Sequence, residues 1–128
     1  MIRIRIYPIT VVETHSYATD ADRLFAGERH ERLKELLAFN PEHGDAVKGV
    51  EGVRQFIWQT EDGGKDDVQI VYFFHDLEMP LFLLALCQGE FVEFDAEFCA
   101  ELQKLTAELV AEYRRPKTRL TILSDGIA

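Results

Sequence analysis

The spacing of apolar and polar positions changes along the chain, and each change marks an element. Ile2, Ile4 and Ile6 alternate with Arg3 and Arg5, the period of a half-buried strand, and Pro8 stops it. Ile9 to Glu13 is β-branched and predicts a second strand, or a continuation of the first past a kink. Thr14 or Ser16 is placed to cap a short helix reaching Phe25, which Gly27 breaks. A stronger helix is expected from Glu28 to Phe39. Leu33, Leu36 and Leu37 share one face of it, with Arg29, Arg32, Lys34 and Glu35 outside. That helix must stop near Asn40, because Pro41 disfavours helical backbone in the residue before it. Pro41 to Gly52 reads as a loop with Gly44 and Gly49 as turn residues.

Beyond Gly52 the pattern becomes that of strands. Val53 to Thr60 carries Phe56, Ile57 and Trp58, and Glu61 to Asp67 is a polar hairpin loop. Val68 to Phe74 is a β-branched and aromatic run suited to a central strand, and Asp76 to Pro80 makes the next turn. Leu81 to Cys87 is almost wholly apolar and predicts burial on both faces. Asp95 then caps a last helix, with Phe98, Leu102, Leu105, Leu109 and Tyr113 three or four residues apart, and Pro116 ends it. Arg119 to Leu123 is a candidate short strand, to be paired with Ile2–Ile6. The order of elements gives a single α+β domain over residues 1–128, with a core at 9–115 and terminal extensions at 1–8 and 116–128. Its helices are expected on one face of a small antiparallel sheet.

With 47% hydrophobic residues the chain can build a core without disulfides. Cys87 and Cys99 sit in apolar stretches with neither zinc-ligand nor redox spacing, and read as reduced core residues. No apolar run reaches the roughly 20 residues of a membrane helix, and the start is too short and too charged for a signal peptide. The expected compartment is the cytoplasm. Charge changes the picture more. There are 14 Lys and Arg against 23 Asp and Glu, a net of −9. From Gly52 to Glu90 the only cations are Arg54 and Lys65, against seven carboxylates. A protein whose main task is gripping phosphates carries a basic face.

Several short motifs occur in a definite order: Val12-Glu13-Thr14 before a helix, Asn40-Pro41-Glu42-His43-Gly44-Asp45, Lys48 to Arg54 with Gly49 and Gly52, Trp58, Gly63-Gly64-Lys65, Ile70 to Phe74, and Leu81 to Leu84. In that order and spacing they resemble the HigB-like members of the RelE/ParE toxin superfamily, whose corresponding segments read NPxxGD, pGtgGlRK, RW, GrGKsGG, RVIYYY and an apolar strand before LYAKNEK. The resemblance runs from Val11 to Glu90. It implies a RelE-like fold, in which a small antiparallel twisted sheet packs against two N-terminal helices and a C-terminal helix. It also implies a toxin of a type II toxin–antitoxin system that cuts mRNA on the ribosome without metal or other cofactor.

In such chemistry a fixed cation stabilises the charge that builds on the phosphate oxygens, and proton donors and acceptors serve the 2′-hydroxyl and the leaving oxygen. Position by position, the resemblance assigns catalytic roles to Arg54, Lys65 and Tyr72, and RNA contacts to Lys48 and Gln69. Arg54 would hold a phosphate bidentately. Lys65 would offset transition-state charge, and Tyr72 would stack on a base or assist proton transfer.

The chain also departs from the pattern. Gln55, Gln69 and Gln88 stand where the family carries cations, and Asp66 and Asp67 follow Lys65. A neutral donor makes a bond roughly half as strong as a charged one. Losing one transition-state donor can lower a rate on the order of 10²–10³-fold. Plainer readings stand beside these roles: Arg54 and Lys65 as solvent-facing charges, Tyr72 as core, and Glu61, Asp62, Asp66 and Asp67 as a solvated turn. His75 is the one histidine to consider as a proton donor, and otherwise an exposed turn residue.

Three functions follow as expectations. The first is a RelE/HigB-like mRNA endoribonuclease, weakened or inactive. The second is a catalytically impaired relative acting as a protein-binding module, and the third a ParE-like inhibitor of DNA gyrase. The implied partners are a cognate antitoxin of helix-turn-helix type, the ribosome and mRNA for an active enzyme, and a second copy of the chain. The last helix and the aromatic cluster Phe91, Val92, Phe94 and Phe98 are the candidate interaction surface.

Overall fold

The computed structural model describes residues 8–24, 27–59, 67–89 and 91–113. The strands expected at Ile2–Ile6 and Arg119–Leu123, the helix stop at Pro116 and most of the Glu61–Asp67 loop lie outside those residues. Within them the chain is an α+β fold. It runs β1 (Val11–Glu13), α1 (His15–Leu24), α2 (Glu28–Phe39), β2 (Asp45–Ala46), β3 (Val53–Trp58), β4 (Val68–Phe73), β5 (Leu81–Gln88) and α3 (Ala96–Tyr113). Among the described residues no helix is long and apolar enough to cross a membrane.

The five strands form one sheet in the order β1-β5-β4-β3-β2. β4, the β-branched and aromatic run, is central, and all six of its residues are buried. It pairs antiparallel with β3 and β5. Leu84 is an extra residue between the Tyr72↔Leu83 and Val71↔Ala85 pairs, a bulge that turns both Leu84 and Ala85 toward the α3 side.

The sheet is mixed rather than antiparallel, because β1 runs parallel to β5. β5 is too apolar to leave an edge in water, and the β-branched β1 covers it. Main-chain bonds from Leu81 N to Thr10 O and from Thr14 N to Leu83 O set the direction. The Thr14 hydroxyl also donates to Leu83 O at 2.9 Å. Thr14 therefore ties the start of α1 to β5 with its side chain and does not cap the helix with it.

The helices are also not on one face. Tyr17 and Ala21 of α1 and Leu33 and Leu37 of α2 pack with Phe56, Ile70, Tyr72, Leu83 and Leu86 on one side of the sheet. Leu102 of α3 packs with Val53, Val71, Phe73, Phe82 and Leu84 on the other. A strand in the middle of such a sandwich alternates two apolar faces, which is why β4 and β5 show no polar alternation. At the end of α2, Asn40 closes the helix through its amide N–H to Leu36 O, with non-helical φ −135° and ψ 69°, as a following proline demands. The stretch expected to be plain loop contains β2, which pairs with Arg54 and Gln55. Gly52 turns the chain into β3 at φ +83°, and a Cβ there would lie 2.6 Å from Phe73 Cε1. Asp95 caps α3 as expected, its carboxylate accepting from Phe98 N at 2.8 Å.

A polar group is enclosed where α1, α2 and β1 meet. The Tyr17 hydroxyl lies 3.1 Å from His30 Nε2, with Glu13 Oε1 3.9 Å beyond. Lys34 bridges Glu13 at 3.3 Å and Glu31 at 3.0 Å. Burial lowers the His30 pKa below the ordinary 6.5, against the opposing pull of Glu13. The folded chain thus binds this proton less readily than the unfolded one. Stability should be full above pH 6.5 and fall as the pH drops from there through the lowered value. Thermal unfolding of the full chain between pH 7 and pH 5 should show this decline, and His30→Gln should flatten it. An equal slope in both proteins would assign the effect to other groups.

Candidate functional site

Antiparallel pairing sets Arg54 on β3 directly opposite Tyr72 on β4, on the face that α1 and α2 cover. Two of the three residues that the resemblance marks as catalytic are therefore neighbours, and both reach the same turn between α2 and β2. Tyr72 is 0% exposed. Its hydroxyl donates to Pro41 O at 2.8 Å and accepts from Gly44 N at 2.8 Å. Arg54 Nη1 donates to Gly44 O at 2.7 Å and to Glu42 O at 3.2 Å. Its Nη2 faces the Glu42 carboxylate at 3.5 Å.

The turn is shaped to admit these bonds. A Cβ on Gly44 would lie 3.0 Å from both Gln55 O and Tyr72 Cε1, and 3.1 Å from the Tyr72 hydroxyl. Glycine at this position lets the Gly44 main chain approach the phenol closely enough for a short bond. His43 rests edge-on against Phe56, with ring centroids 4.8 Å apart. Asn40, Pro41, Glu42 and His43 line an open depression of about 300 Å³ on the outside of the turn.

This arrangement limits what each side chain can do. A buried phenol has no face on which a base can stack, and both bonding directions of its oxygen are engaged. Burial pushes the Tyr72 phenol above its ordinary pKa, with the Gly44 N–H and the Arg54 charge pulling back. Arg54 keeps 24% of its side chain exposed. The guanidinium edge held by carbonyls is oriented but occupied, and Glu42 stands at the other edge where an anionic oxygen of a ligand would sit.

The remaining candidates lie elsewhere. Gln69 is only 4% exposed and lies three residues before Tyr72, on the opposite face of the sheet. Its Oε1 accepts from Val92 N at 2.8 Å, and its Nε2 lies 3.4 Å from Val92 O and from Gln55 Oε1. It fastens the segment after β5 to the sheet. Lys48 is exposed in the turn between β2 and β3. Lys65 lies outside the described residues. His75 approaches the ring of Phe73, at 6.0 Å between centroids, and Asp76 at 3.7 Å, so it belongs to the α3 side and not to Tyr72. Reading the sequence missed the contribution of Glu42, Pro41 O and Gly44. The glycine at the end of the NPxxGD-like turn was the available signal.

No protein-family model matches the chain, and no curated protein matches it as a relative.

The clamp makes a direct prediction. Tyr72→Phe leaves the Gly44 N–H and the Pro41 carbonyl buried without the hydroxyl, and should cost about 1–3 kcal/mol in urea unfolding. Gly44→Ala should destabilise by about the same amount through overpacking. A Tyr72→Phe protein as stable as the parent would show that the hydroxyl does not hold the turn.

Proposed function

We propose that this chain is a RelE/HigB-like protein of the toxin–antitoxin type whose ribonuclease chemistry is impaired and which acts by binding a protein partner. The observation that carries the reading is the commitment of Tyr72 and Arg54 to the Pro41–Gly44 turn. The order of motifs supports the family, and the α+β arrangement of two N-terminal helices, a sheet meander and a C-terminal helix is compatible with it. The distribution of cations supports the loss of chemistry. Arg23 pairs with Asp20, Lys34 with Glu13 and Glu31, and Arg54 with Glu42. Arg29 reaches Trp58 O at 3.5 Å. Cations paired in this way offer less to a phosphate backbone, although Arg32, Lys48 and Lys104 stay exposed, and the net charge of −9 repels it.

A second reading, ribosome-dependent cleavage of mRNA, is favoured by one observation. The outer edge of Arg54 meets Glu42 at only 3.5 Å and through a carboxylate that is itself 72% exposed, so a phosphate can compete for it. Induced expression of the full chain in a bacterial host, with mapping of transcript 5′ ends, separates the two. The expected result is folded protein with no new ends inside translated codons. New ends within codons that disappear in Arg54→Ala would defeat the impaired-nuclease reading in favour of the second.

A further inference from the structure

The two faces of the sheet are not covered alike. On the α1–α2 side Tyr17, Leu33, Leu37 and Tyr72 are fully buried. Along α3 only Leu102 and Thr106 are buried, while Phe98, Leu105 and Leu109 keep partial exposure. The approach to α3 adds Phe91, 42% exposed, and Phe94, which stacks on Phe98 with centroids 5.5 Å apart. At about 100° per residue, Glu97, Glu101 and Glu108 fall on one flank of α3, directly beside Phe98 and Leu105, with the exposed Lys104 at its outer margin, so the flank is acidic in balance. All three are exposed, and none has an ion-pair partner among the described residues.

We propose that this half-covered apolar strip with its glutamate flank docks a basic amphipathic helix of a protein partner. The inference rests on the reading that the chain works through such a partner, and it specifies the partner's chemistry. Closing the strip removes aromatic and aliphatic surface from water, the usual source of affinity for a helix lying on an apolar face. The flank decides which helix. A second copy would bring a like-charged flank and a second net charge of −9 against the first, and nucleic acid carries the same sign. A helix with an apolar stripe bordered by Lys or Arg satisfies both the strip and the flank.

The test uses the full chain and a synthetic amphipathic Leu/Lys helical peptide, with a Leu/Glu peptide of the same pattern as control. Two double variants carry the same change in net charge: Glu101→Lys with Glu108→Lys on α3, and Glu35→Lys with Glu51→Lys elsewhere. All four positions are exposed, so folding is preserved, and circular dichroism checks it. The Leu/Lys peptide should bind and the Leu/Glu peptide should not. The α3 variant should weaken binding by about tenfold, as expected from two lost exposed ion pairs, and the other should change it little. Phe91→Ser should weaken it as well. Equal weakening in the two double variants, absence of binding, binding of the Leu/Glu peptide, or a dimer by sedimentation that Glu101→Lys with Glu108→Lys alters would each overturn the proposal. Those results leave the impaired-nuclease reading standing, whereas transcript cleavage defeats that reading without touching the α3 surface.

Discussion

A single buried oxygen connects the middle of the sheet to the turn that leaves α2. The Tyr72 hydroxyl sits between a main-chain donor and a main-chain acceptor of that turn, each at 2.8 Å. Buried main-chain groups need partners, and this turn is too irregular to supply them all from its own backbone. The sheet supplies them instead, through Tyr72 from below and Arg54 from beside it. Gly44 has to lack a side chain for the first contact, and the two residues that follow it, Asp45 and Ala46, pair with β3. A phenol and a guanidinium usually associated with chemistry thus serve, in this chain, to satisfy and orient backbone.

This use has an electrostatic counterpart. Several of the described cations are drawn inward by carboxylates or carbonyls of the same chain, at Lys34 between Glu13 and Glu31 and at Arg54 beside Glu42. What faces water along α3 is mainly negative, Glu97, Glu101, Glu108 and Glu112 against Lys104. The proposed function and the proposed partner therefore share one physical cause: cations paired within the fold are less available to phosphate, while the surplus of carboxylates recommends a basic protein. Specificity of this kind arises as much from repelling the wrong partner as from attracting the right one.

Much of the architecture was legible in the sequence. α2, β4, β5 and α3 appear where period, proline and cap placed them, because each is long and its signal is local. The direction of β1 was not legible. Its pairing with β5 joins Val11 to Leu81, and nothing in either segment encodes a parallel rather than an antiparallel approach. The division of helices between two faces was hidden for a related reason. A strand buried on both sides, such as Val68–Phe73, shows no alternation to say which helix lies where. At the site, the pairing of Arg54 with Tyr72 could be suspected from motif order. The burial of Tyr72, and the fastening of Val92 by Gln69, depend on contacts between segments far apart in the chain.

The measurement that bears most directly on this account is hydrogen exchange at the Gly44 amide. The account predicts that this N–H, at the end of a surface turn, exchanges slowly in the parent chain because it donates to the Tyr72 hydroxyl, and rapidly in Tyr72→Phe. Rapid exchange in the parent would mean that the phenol is free of the turn, and would return Tyr72 to the list of groups available for chemistry.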